Sequence, residues 1–98
     1  MNEPIQTQQT GLNDDSQWFV YILRCVDNSL YIGITTDIKR RLSEHNSLKI
    51  GAKYTRGRRP VTLVYSEPSN THSLALKREC ELKKLPKTKK EALIHDTL

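Results

Sequence analysis

The chain is poor in the residues that mark several common classes of small protein. Its 98 residues include two cysteines, Cys25 and Cys80, far apart and with no second pair. That excludes a disulfide-stapled secreted scaffold and suits a reducing cytoplasm. The three histidines, His45, His72 and His95, have no C-x-x-C or H-x-x-x-H beside them, so no zinc centre is expected. No apolar run approaches the ~20 residues that span a bilayer, which argues against a membrane protein. Lys and Arg are missing from residues 1–16, "MNEPIQTQQTGLNDDS". This start lacks the charged-then-apolar order of a signal peptide and reads as a polar, disordered tail. Internal repeats are absent.

What remains, residues 17–96, is one domain of about the minimum length that buries a core unaided. The whole chain has a net charge of +5, but residues 17–98 hold all 16 Lys and Arg against eight acids, a net +8. Such an imbalance attracts polyanions, nucleic acid or anionic membrane, without choosing between them.

Two aromatic and β-branched stretches, "WFVYILRCV" (18–26) and "SLYIGIT" (29–35), flank a turn signal and predict a β-hairpin. Alternation puts Val20, Ile22 and Val26 with Leu30, Ile32 and Ile34 on an apolar face, and Tyr21, Leu23 and Cys25 with Tyr31, Gly33 and Thr35 on the other. Both tyrosines share a face only if the loop has an odd number of residues, so burial argues for three, with Asn28 or Ser29 left-handed. Gly33 beside the tyrosines leaves room for something bulky.

Thr36 or Asp37 caps a helix running to about Asn46, with Ile38 and Leu42 on its apolar stripe. Arg41 and His45, four apart, project from one face of it. "KIGAKYTRGRRP" (49–60) reads as a loop or short irregular helix, and "VTLVYSE" (61–67) as a third strand. Asn70 or Thr71 caps a helix ending near Leu85, before Pro86. Thr88 with Glu91 has the capping-box spacing for a last short helix. The order β-β-α-β-α-α predicts an α/β (α+β) fold: a three-stranded, mostly antiparallel sheet flanked by helices.

These residues resemble the GIY-YIG nuclease family, and in particular its small stand-alone members. The two family tripeptides correspond to Phe19-Val20-Tyr21 and Tyr31-Ile32-Gly33. The likeness continues through "DIKRRLSEH", where Arg41 stands eight after the motif glycine, and through "AKYTRGRRPVTLVYSE" and "ALKRECELKKL", where Glu79 matches the family glutamate. It covers about residues 17–95. Two departures are Phe19 in place of glycine and the absence of asparagine after Asn70, where larger members often carry a functional one.

The resemblance implies a Mg²⁺ (or Mn²⁺) dependent DNA endonuclease or nickase. Tyr21 would orient or deprotonate the attacking water, Tyr31 would position the phosphate or share that task, Arg41 would neutralise phosphate charge, and Glu79 would hold the metal. His45 is a proton carrier, a phosphate contact or a helix-end residue bound to backbone. Plainer readings stand beside these: tyrosines filling a strand surface, Arg41 on a solvated helix face, and Glu79 paired with Lys83.

Outside this set, Tyr54 is placed to stack on a base while Lys53, Arg56, Arg58 and Arg59 meet phosphates, with Lys39 and Arg40 adding charge. The lysines at 83, 84, 87, 89 and 90 extend that charge or are ordinary solvated helix ends. A chain with so little surface for reading base edges is expected to show low sequence specificity and steep salt dependence. DNA repair or recombination, cytoplasmic location and recruitment by a partner protein are the expected setting; RNA as a target and the oligomeric state are left open. The rival readings are a non-catalytic nucleic-acid-binding module and an interaction domain that touches no nucleic acid.

Overall fold

The computed structural model describes residues 17–47 and 53–96, so the tail expected at 1–16 lies outside the described residues. Seven elements follow in order: β1 (Trp18–Arg24), β2 (Leu30–Thr35), α1 (Ile38–His45), α2 (Lys53–Arg56), β3 (Thr62–Ser69), α3 (His72–Lys83) and α4 (Lys87–Asp96). This is the expected order with one short helix, α2, added inside the basic segment. The strands form a single antiparallel sheet in the order β2-β1-β3. The first strand is therefore the central one.

The hairpin has the odd loop that burial demanded. Tyr21 pairs with Gly33 and Ile22 with Ile32. Cys25 N–H donates to Ser29 O and Asn28 N–H to Cys25 O, each at 2.9 Å, which closes a loop of residues 26–28. Asn28 takes the left-handed position, with φ 70°. Asn accepts this conformation more readily than bulkier residues, because its short polar side chain bonds locally. Val26, expected on the apolar face, is instead 64% exposed, because it sits in the loop and has no strand partner.

Each face of β1 has its own cluster. On one face Val20, Ile22 and Ile32 pack against Ala75 and Leu82 of α3 and Ile94 of α4. A bulge opposite Ile22 and Leu23 skips Val64 in the β1–β3 register, so the consecutive Val64 and Tyr65 both reach this cluster. On the other face Tyr21, Leu23, Cys25 and Val61 gather with Tyr31 and Leu42.

Thr71 caps α3, its Oγ1 accepting from Leu74 N–H at 3.1 Å. The capping box expected at Thr88 does not form: α4 begins at Lys87, and the Pro86 carbonyl already accepts from Lys89 and Lys90 N–H at 3.0 and 3.2 Å. Proline's fixed φ suits it to a helix start, which places Thr88 inside the first turn. The helix is tied back to the hairpin. Arg24 donates two hydrogen bonds to the Glu91 carboxylate, both at 2.7 Å, and Lys87 Nζ donates to Asn28 O at 2.7 Å.

Candidate active site

Tyr21 stands in the middle of the central strand and is 2% exposed, an unusual burial for a phenol without an internal partner. Its partner is His45, whose Nε2 lies 2.9 Å from the Tyr21 hydroxyl. His45 is itself fully buried, and its Nδ1 lies 2.9 Å from Thr55 Oγ1 on α2. Three buried polar groups from β1, α1 and α2 thus form one chain. Both ring nitrogens are satisfied, which is what burial of an imidazole requires.

Local sequence explains how α1 delivers His45 there. Thr35 Oγ1 accepts from Asp37 N–H at 3.1 Å, and Asp37 Oδ1 accepts from Arg40 N–H at 3.0 Å. The helix starts directly off the end of β2, and the four-residue spacing then turns both Arg41 and His45 toward the tyrosines. Tyr31 packs against the imidazole with ring centroids 4.9 Å apart, and lies 6.4 Å from the Tyr21 ring.

Gly33 has a reason other than the one the sequence suggests. A Cβ there would sit 2.5 Å from the Tyr21 hydroxyl oxygen and 2.7 Å from its Cζ. The space is taken by the phenol opposite and is not held for an incoming ligand. Glycine lets Tyr21 lie flat across β2 and reach His45.

The electrostatics follow from burial. Burial pushes the Tyr21 pKa up to about 12, with Tyr31 adding to the rise and the Arg41 guanidinium opposing it. Burial pulls His45 down to about 4, helped by Arg41 and opposed by Glu44. At neutral pH the site therefore holds a protonated phenol against a neutral imidazole. Arg41 donates from Nη1 to Glu44 Oε1 at 2.8 Å, and this bond raises its pKa further.

Glu79 approaches from α3. Its negative charge acts on Tyr21, which ties it to the same centre, while its Oε2 lies 3.4 Å from Lys83 Nζ. The ion pair foreseen from four-residue spacing is present together with the link to the tyrosine. No cluster of three or more His, Cys, Asp or Glu side chains is arranged for a metal among the described residues. A single carboxylate next to open solvent still fits Mg²⁺, a hard ion that keeps several waters and takes one or two protein oxygens.

The basic segment divides into two groups. Tyr54 is 39% exposed and lies 5.9 Å, ring to ring, from Tyr31. Arg58 sits over the Tyr54 ring at 4.1 Å, donates to Asp27 Oδ2 at 3.0 Å and to Tyr54 O at 2.7 Å, and so ties α2 to the hairpin loop. Arg59 donates to Ser47 O. Lys39, Arg40, Lys53 and Arg56 are exposed.

Tyr21, Tyr31, Arg41 and His45 thus meet in one place, with Glu79 acting on it and Tyr54 bordering it. Two participants are absent from the sequence-based set. Glu44, three residues after Arg41, has readable helix-pair spacing. Thr55 carries no such signal, since its partner is ten residues away on another element.

Among the described residues no helix is long and apolar enough to cross a membrane. The description of the GIY-YIG catalytic domain matches residues 17–92. A UPF0213 protein of Desulfotalea psychrophila is 54% identical over 81 residues, covering 83% of this chain and 74% of the relative. The UPF0213 protein YhbQ of Escherichia coli is 51% identical over 77 residues, covering 79% and 76%. Among solved structures, the solution NMR structure of a UPF0213 protein from Bacillus halodurans matches with a TM-score of 0.52 and 47% identity, covering 81% of this chain and 83% of that one. An NMR structure of a protein from E. faecalis gives 0.57 and 42%, covering 83% and 85%. The motifs, the antiparallel sheet and these matches converge: the chain belongs to the GIY-YIG family, alongside its small single-domain UPF0213 members.

Proposed function

We propose that the protein is a metal-dependent DNA endonuclease or nickase that hydrolyses phosphodiester bonds with little sequence preference. The observation that carries this reading is the buried 2.9 Å contact between Tyr21 Oη and His45 Nε2. A phenol with a pKa near 12 is a poor base at neutral pH unless its own proton has somewhere to go. His45 is neutral and adjacent, with Nδ1 2.9 Å from Thr55 Oγ1; the tautomer this reading requires carries its proton on Nδ1, donated to Thr55, so that Nε2 accepts from Tyr21. Tyr21 orients the attacking water and takes its proton while passing its own to His45. The guanidinium of Arg41 stabilises charge on the phosphate, for which its planar fork suits two oxygens, and Tyr31 positions that phosphate. Glu79 is the side chain that would hold Mg²⁺ (or Mn²⁺), which would supply positive charge to the developing phosphate oxygens.

A second reading, a nucleic-acid-binding module without catalysis, draws support from the Lys83 ammonium 3.4 Å from Glu79, which competes for the metal ligand. Supercoiled plasmid separates the two. With Mg²⁺ the wild type is expected to nick it, while chelator, Tyr21→Phe or Glu79→Ala removes the activity. Binding without cutting by all forms establishes the module instead. Labelled linear, branched and RNA substrates then show whether repair-type structures or RNA are cut.

A further inference from the structure

Beside the catalytic cluster lies a cavity of about 290 Å³ lined by Leu30, Tyr31, Ile32, Tyr54, Lys83 and Lys90. It is built from four elements, β2, α2, α3 and α4, and shares Tyr31 with the site above. It brings together two tyrosines, two lysines and the edge of β2 at Leu30 and Ile32. The cavity contains no acid in its lining. Lys90 is half-buried yet has no carboxylate partner among the described residues, and Lys83 has only the 3.4 Å contact with Glu79. Tyrosine rings beside one ammonium without a carboxylate partner and one with a single long contact suit a ligand that is flat and apolar at one end and anionic at the other.

We propose that this cavity is a subsite for one unstacked nucleotide adjoining the scissile phosphate, its base against Tyr54 and Tyr31 and its phosphate on Lys83 and Lys90. The assignment rests on the nuclease reading and adds a place for one neighbour of the cut bond. Three observations support it. At about 290 Å³ the cavity is just below the roughly 300 Å³ lower end of ligand pockets, which limits its occupant to one nucleotide at most and excludes a paired stack. Arg58 covers one face of the Tyr54 ring at 4.1 Å, which holds the ring in place, while Tyr54 keeps 39% of its surface exposed for a planar ligand. Tyr31 and Tyr54 are 5.9 Å apart and inclined by 32°, too close for a base to slip between them, so they form one continuous wall.

Lys83 gives the subsite a link to the metal ligand. A phosphate that engages its ammonium draws it away from Glu79 and leaves that carboxylate open.

The test uses the full chain carrying Glu79→Ala, so that binding is read without cutting, and follows ¹H–¹⁵N and tyrosine ring NMR signals. Probes are thymidine monophosphate, thymidine and inorganic phosphate. The monophosphate is expected to shift Tyr31, Tyr54, Lys83 and Lys90, with phosphate alone leaving the tyrosine rings unmoved. Tyr54→Ala should weaken binding by roughly fivefold or more, about what one base stack contributes, and Lys90→Gln, which removes the ammonium from the cavity wall, should weaken binding of the monophosphate but not of thymidine. Equal shifts from inorganic phosphate, or shifts confined to Lys39, Arg40 and Lys53, overturn the subsite. Failure of the nuclease reading is seen separately, as a wild type that leaves plasmid intact; a wild type that cuts while the cavity ignores the monophosphate sinks the subsite alone.

Discussion

The two faces of β1 use the same seven-residue strand for opposite purposes. Val20 and Ile22 look toward α3 and α4 into a cluster of aliphatic side chains, where contact and volume are what matter. Tyr21, between them, looks the other way into a chain of hydrogen bonds through His45 to Thr55. The aliphatic face tolerates rearrangement, since hydrophobic burial is non-directional. The polar face does not, because its buried donors and acceptors depend on specific partners in specific directions. Around Tyr21 the two faces therefore divide the work, with aliphatic packing on the side of Val20 and Ile22 and directed hydrogen bonds on the other, where Leu23 still adds apolar contact.

The strongest way to break that comparison is to cross the two faces. Tyr21→Phe is expected to lower plasmid nicking by roughly 10² to 10⁴, the range for loss of a proton-transfer group. It leaves His45 Nε2 without its phenol, costing about 1–3 kcal/mol by urea unfolding. Leu82→Ala on the opposite face should do the reverse, costing about 2–5 kcal/mol while the folded fraction cuts at the wild-type rate. A loss of specific activity in Leu82→Ala as large as in Tyr21→Phe breaks the division.

Gly33→Ala sharpens it. The added methyl would meet the Tyr21 ring at 2.5–2.7 Å. The cost is about 1–3 kcal/mol, as for other overpacked sites. Because the phenol must move to relieve the contact, activity is expected to fall further than stability, and comparing nicking rate with the unfolding midpoint checks this.

The smallest effect is that of pH. His45 has a folded pKa of about 4, against the ~6.5 of a free imidazole. Between those values the unfolded chain binds a proton that the native state refuses, so this residue's contribution is complete above ~6.5 and declines as pH falls toward 4. Thermal unfolding across that window should show a drop in midpoint that is reduced in His45→Gln. Leu82→Ala should retain the wild-type slope.

Much of this architecture was legible because it rests on local periodicity. Alternation assigned Tyr21 and Tyr31 to one face, the parity of the loop followed from burial, and four-residue spacing placed Arg41 with His45 and Glu79 with Lys83. The hidden parts were those set by distant partners. Nothing near Thr55 in sequence signals that it meets an imidazole ten residues away. The phenol that fills the space at Gly33 comes from the neighbouring strand, and Arg58 and Arg59 bond to Asp27 and Ser47, groups outside their own segment. Thr88 had the right spacing for a cap, but Pro86 starts the helix first.

Because β1 is the middle strand, half of its backbone partners are supplied by β3, beginning at Thr62. A ribosome that has delivered the hairpin and α1 has therefore made Tyr21, Tyr31, Arg41 and His45 before the third strand exists to pair with β1. Glu79 is still to come, and the Arg24–Glu91 clasp closes later again. Folding of this topology waits on long-range pairing. The cluster around Tyr21 is thus expected to assemble only when nearly all of the domain has cleared the exit tunnel.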